Sequence, residues 1–222
     1  MSAETPRERP ILFNDQMVRA ILEGRKTVTR RAVKDTGFYA IDAAIHGNEV
    51  ALREREALST RCPFGQPGDR LWVREAWTID LLAAYSTEKG YDSEYELRYR
   101  ADDAAREIHV APGEPDPYLA LYDSQRGDWR PSIHMPRWAS RILLEITAVR
   151  VERLQDISEE QALAEGVHGE PCDHARQACS DIGCWGDTAK GAFGFLWEQL
   201  NGAGAWQAKP WVWVVEFKRV TP

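Results

Sequence analysis

The chain is 222 residues long, 43% hydrophobic and 28% charged, with a formal net charge of −7 and a pI near 5.3. That length holds one sizeable core, or a small core with generous insertions. The acidic balance excludes a global electrostatic attraction to nucleic acid, although a local basic patch can still hold a nucleotide. No apolar run reaches the roughly 18–20 residues that a membrane span needs, and the first ten residues lack the apolar segment of a secretory signal, so the cytoplasm is the expected compartment.

Residues 1–9 read as a disordered arm, and residues 10–13 (Pro-Ile-Leu-Phe) as a short apolar strand. Asn14 is placed to cap a helix over roughly 15–23, with Met17, Ile21 and Leu22 on one face and Gly24 closing it. Next comes Gly24-Arg-Lys-Thr-Val-Thr-Arg-Arg31, which packs four cations and two hydroxyls into eight residues. The β-branched run Thr27-Val28-Thr29 reads as a strand entering the core. Along a regular strand Lys26 and Thr29 differ in parity, so a bend is required if they are to meet.

Residues 32–66 are polar and weakly periodic, as in a variable insertion. A turn cluster at 62–69 delivers an alternating strand at 70–77, with Leu71 and Val73 on one face and Trp72 and Arg74 on the other. A further strand is expected at 95–100, then an acidic, loop-like stretch to about 128. Residues 129–138 carry two prolines and form no regular element. Their aromatics, with Arg130, His134 and Arg137, suit a base-stacking wall, and equally a packed crossover between strands.

Residues 141–154 give the longest strand signal. Ser158 and Gln161 form a capping box that opens a short helix through Ala164, with Glu165-Gly166 at its end. There the helix dipole disfavours a negative charge. Residues 193–200 read as an amphipathic helix and 211–220 as a closing strand.

Strands dominate and the βαβ rhythm of a doubly wound sheet is missing, so the expected class is α+β: a small mixed β-barrel with short helices at its rims and several loop insertions. One domain over 10–222 accounts for the elements, with insertions near 32–66, 78–128 and 167–190.

Cys172, Cys179 and Cys184 cluster with His168 and His174, but lack the paired spacing of most structural zinc sites. A surface loop is the preferred reading, and no metal or cofactor is expected. Phosphate-binding loops, dinucleotide fingerprints, zinc-protease motifs and nucleophile elbows are all missing. What remains is Lys26, Thr29 and a carboxylate that can join them. A threonine hydroxyl attacks only when a base removes its proton. A lysine serves as that base when burial or neighbouring cations lower its pKa. The same residues can instead be a solvated cationic patch with an ordinary strand threonine.

Four blocks carry a resemblance: residues 10–31 with their Lys-Thr-Val-Thr core; Pro67-Gly-Asp-Arg-Leu-Trp-Val73; Ile157-Ser-Glu-Glu-Gln-Ala-Leu-Ala-Glu-Gly166; and Trp213-Val-Val-Glu-Phe217. In this order, over roughly 80 of the 222 residues, the chain resembles the ASCH domain family. The longer form, with His134-Met-Pro-Arg-Trp-Ala-Ser-Arg141, is similar to proteins carried by bacteriophages and prophages. The resemblance implies a PUA-like β-barrel and a function near RNA or modified nucleosides. Bacterial members that remove the acetyl group from N4-acetylcytidine imply an amidohydrolase with Lys26, Thr29 and Glu165 as its catalytic set.

Arg31 matches an arginine of the same block, and Arg30 makes the mouth more cationic than in shorter members, which hints at a phosphorylated or polymeric substrate. Trp72 or Trp138 would stack on the pyrimidine, with Arg137 beside it. The expected partner is a modified nucleoside or nucleotide, with RNA or DNA as further options. The alternative is a non-catalytic RNA- or DNA-binding module that uses the same pocket.

Overall fold

The computed structural model describes residues 5–33, 56–168 and 188–220. Cys172, His174, Cys179 and Cys184 lie outside the described residues, as do most of the insertions near 32–66 and 167–190.

The strands are β1 (Glu8–Leu12), β2 (Val28–Ala32), β3 (Arg70–Arg74), β4 (Trp77–Thr87), β5 (Gly90–Tyr99), β6 (Ala105–Val110), β7 (Leu143–Arg153) and β8 (Trp211–Val220). The helices are α1 (Asp15–Leu22), α2 (Pro117–Asp123), α3 (Glu159–Ala164) and α4 (Ala189–Asn201). One sheet has five strands in the order β1-β3-β7-β8-β2, and the other three in the order β4-β5-β6. The class is therefore α+β. The strands form two open sheets, and no closed barrel is present among the described residues. No described helix is long and apolar enough to cross a membrane.

The chain divides into two compact units. The first takes residues up to Arg9, Ala20–Leu71 and Leu144–Val220, and the second takes Pro10–Arg19 and Trp72–Leu143. The stretch read as a loop insertion at 78–128 is thus largely a unit of its own.

In the first unit, β2 pairs antiparallel with β8 from Val28↔Glu216 to Ala32↔Val212 without a slip. Val28, Val212 and Val214 pack with Leu154, Ile157, Ala162, Phe193 and Trp197 in one core cluster. Each such large side chain contributes about 1.5–3 kcal/mol by leaving water. Asp69 holds the 66–69 turn by accepting from Gln66 N and Arg7 N, both at 3.0 Å. The arm expected over 1–9 is ordered at its end, because Arg70 N donates to Arg7 O at 2.8 Å and β1 begins at Glu8.

In the second unit, β4 and β5 form a long antiparallel hairpin with a register shift between Leu81 and Ala83, and β6 adds to β5. Trp77, Ile79, Tyr95, Leu97, Tyr99 and Met135 form its core. Arg141 grips the fully buried Glu75 with two nitrogens at 2.8 and 2.9 Å, and also pairs with Asp102 at 2.7 Å. Residues 105–110 and 117–123 are regular where the sequence suggests a loop. β6 is mostly exposed, so its ladder to β5, rather than an apolar face of its own, makes it a strand.

Candidate active site

The opening block of cations is folded into the first unit by local rules at both ends. Gly24 closes α1 with φ +75°, and Ala20 O then accepts from Arg25 N and Lys26 N at 2.8 and 2.9 Å. At the other end the capping box forms as the sequence predicts: Ser158 Oγ accepts from Gln161 N at 3.2 Å and Gln161 Oε1 accepts from Ser158 N at 3.1 Å. Glu165 is the C-cap of α3, and Gly166 follows at φ +83°.

The two ends meet at Lys26, which forms an isolated antiparallel bridge with Glu165. Gly166 permits the approach. A Cβ there would lie 2.7 Å from Ala20 Cβ and 3.0 Å from Lys26 Cβ.

Thr27 is where the chain bends. A residue in a regular antiparallel strand turns its N–H and C=O to the same neighbour. Thr27 instead donates its N–H to Ala164 O and accepts on its C=O from Phe217 N, both at 2.9 Å. The backbone therefore rotates at this residue, between the end of α3 and β8, so simple alternation does not relate Lys26 to Thr29. A bend is the condition for the two to meet, but Lys26 uses it to reach Glu165.

Lys26 Nζ donates to Glu165 Oε2 at 2.6 Å, Glu165 O at 3.0 Å and Val28 O at 2.8 Å. These acceptors engage all three protons of an ammonium. Thr29 lies one residue beyond, opposite Val215 in the ladder. No hydrogen bond joins its hydroxyl to Lys26 among the described residues.

Arg30 departs from the expected cationic mouth. Its side chain is fully buried, packed 6.0 Å from the Phe193 ring centroid. It donates to Glu165 Oε1 at 3.2 Å and Gln161 Oε1 at 2.9 Å, and reaches Glu152 at 3.5 Å. Arg31 is half-buried next to it.

Lys26, Thr29, Arg30 and Glu165 are each at most 3% exposed. Burying charge on this scale costs several kcal/mol per ion unless each is paired. Burial pushes the Lys26 pKa down; Arg31 and Arg30 push the same way, and Glu165 opposes them. Burial also lowers Arg31, again against Glu165. Lys26 and Arg30 thus share the buried Glu165 carboxylate, with Glu152 a second partner of Arg30.

Trp72, Arg137 and Trp138 belong to the second unit. Trp72 is 8% exposed beneath the Arg74 guanidinium, 4.7 Å from its ring centroid. Trp138 stands edge-on to Trp77 and Tyr118, with ring centroids 6.0 and 5.2 Å away, and Arg137 is exposed.

Gln161, Glu152 and Gly166 escape a reading by motif. Gln161 is recoverable, because it stands four residues before Glu165 on one helix face. Among the described residues no group of His, Cys, Asp and Glu could hold a metal ion.

Comparisons with protein-family models, with curated proteins and with solved structures give no match.

Proposed function

We propose that the first unit is an amidohydrolase that removes an N4-acyl group from cytidine-type nucleosides, nucleotides or nucleic acid, on a PUA-like scaffold. The observation that carries this is the buried 2.6 Å contact between Lys26 Nζ and Glu165 Oε2 at the bend that leads into the strand of Thr29. The ordered ASCH-like blocks in the sequence support the choice of substrate.

In the proposed reaction Lys26 first passes a proton to Glu165, leaving an amine beside a carboxylic acid. Burial favours this neutral pair over two ions. Thr29 Oγ1 then attacks the acyl carbon as its proton moves to Lys26 Nζ. The charge on the former carbonyl oxygen is stabilised by the neighbouring guanidinium of Arg30. The C–N bond breaks, and the cytosine N4 leaves as an amine with the proton from Glu165. Water then hydrolyses the acyl-threonine, releasing the carboxylic acid and restoring the hydroxyl.

Incubation with N4-acetylcytidine, with cytidine release followed chromatographically, tests this directly. Turnover is expected from the natural protein and its loss from Lys26→Met and from Thr29→Val. Turnover that survives both substitutions overturns the assignment. A second reading, a non-catalytic nucleic-acid module, is favoured by one observation: every Lys26 proton is already engaged and none points to Thr29. Binding of RNA with no turnover on any acylated cytosine selects it.

A further inference from the structure

We propose that the cavity between the β4–β5 hairpin and the turn leading into α2 binds a small aromatic molecule that carries an amine. The cavity lies wholly within the second unit and uses no residue of the hydrolytic reading.

Alternation along β5 turns Tyr91, Ser93 and Tyr95 to one face of the hairpin. The register sets Ala84 opposite Ser93 and Leu81 opposite Tyr95. Away from the hairpin tip this face carries Trp77, Ile79, Leu97 and Tyr99, which fill the core of the unit. Nearer the tip the Ala84–Ser93 pair is too small to fill the same layer, and a cavity of about 470 Å³ remains. Gly113, Glu114, Asp116 and Leu119 form its other wall.

The two walls are tied at both ends. At the tip, a Cβ on Gly90 would lie 3.4 Å from Gly113 N, and one on Gly113 would lie 3.3 Å from Lys89 O, so backbone meets backbone. At the inner end Tyr95 Oη donates to Asp116 Oδ2 at 2.6 Å. Asp116 Oδ1 accepts from Tyr118 N and Leu119 N at 3.0 and 3.1 Å. Walls fixed in this way lose little conformational entropy when a ligand enters. Apolar walls with a few convergent polar groups are the usual make-up of a small-molecule site, and the volume is in the usual range.

The charges select the ligand. Asp116 and Glu114 line the cavity against a single cation, Lys89. Neither carboxylate forms an ion pair among the described residues. Tyr95 is fully buried and Ser93 is 3% exposed, so the surface beside Asp116 is poorly hydrated and partly aromatic. An ammonium group there donates a charge-assisted hydrogen bond to the carboxylate, and a tyrosine ring attracts the same charge. Tyr91, 66% exposed, and Leu119, 43% exposed, give the body of the ligand an apolar mouth to pack against. A carboxylate in place of the amine meets two like charges.

Isothermal titration calorimetry of the full chain with tryptamine, indole-3-propionate and 3-methylindole tests this, because the three share a ring system and differ in charge. Tryptamine is expected to bind, and the other two to bind about tenfold more weakly or less. Asp116→Asn keeps an oxygen for the two backbone donors and should weaken tryptamine about tenfold. Ala84→Phe fills the cavity and should abolish binding. Ala84 is exposed, so this substitution keeps the test valid if Asp116→Asn fails to fold.

No binding of tryptamine, binding of either other probe as tightly as tryptamine, or affinity unchanged by either substitution overturns the site. Lys26→Met should keep the binding, so loss of turnover and loss of this cavity's ligand are separately visible.

Discussion

Glu165 is the residue whose removal should hurt the first unit most. Its two oxygens serve two cations, Oε2 accepting from Lys26 and Oε1 from Arg30. An isosteric Glu165→Gln leaves one acceptor oxygen, so whichever way the amide turns, one buried cation faces an NH2 group. Breaking a buried pair from one side costs about 3–5 kcal/mol, because the remaining charge is uncompensated. Lys26→Met is milder. Glu165 keeps Arg30 on Oε1, while Oε2, Val28 O and Glu165 O each lose a donor, about 1–3 kcal/mol.

The double variant should cost less than the sum of the two single changes, since each removes the other's orphan. Urea unfolding followed by the fluorescence of the nine tryptophans reads all three values. A Glu165→Gln cost below about 1 kcal/mol would mean the cluster is solvated rather than buried, and would refute the account. So would simple additivity.

Gly166→Ala should cost about 1–3 kcal/mol from its φ of +83° and the 2.7 Å approach to Ala20, and should lower turnover further by displacing Lys26 from Glu165; thermal melts and cytidine release check the two effects. The proposed reaction needs the one proton that the Lys26–Glu165 pair shares, so turnover should fall as pH rises through the lowered Lys26 pKa and that proton is lost, and a pH–rate profile that rises there instead would exclude the proposed roles of the pair. The folded chain also gives up this proton before the unfolded chain does. Stability should therefore increase with pH between the lowered folded value and the ordinary lysine value, an increase that Lys26→Met removes. In the second unit Arg141→Leu strands the buried Glu75, a loss of about 3–5 kcal/mol at neutral pH. Burial already raises the Glu75 pKa and Arg141 holds it down. The loss should therefore shrink as acid protonates Glu75, which denaturation at two pH values would show.

Several of these features are legible in the order of the amino acids alone. Asn14, the Ser158–Gln161 box and the Gly24 and Gly166 stops mark α1 and α3, because capping is a contact between residues three or four apart. β7 and β8 announce themselves through their branched apolar runs. The hairpin β4–β5 does so only over residues 95–99, the end of β5. Leu82, Tyr85 and Tyr91 lie exposed, so apolar residues there do not mark a buried face, and the pairing with β5 carries the strand instead.

The local bends, the strand-rich class and the choice of Lys26, Thr29 and Glu165 as the residues to watch all follow from short-range pattern. What those residues do to one another is a property of the fold. Thr27 bends because Ala164 and Phe217, far apart in the chain, claim its N–H and its C=O. Arg30 looks like a surface charge until Glu165, Gln161 and Phe193 close around it. Charge in a sequence carries no sign of burial. Whether an ion is solvated or enclosed depends on partners that the fold brings from elsewhere, and that distinction sets its pKa, its energetic cost and its use.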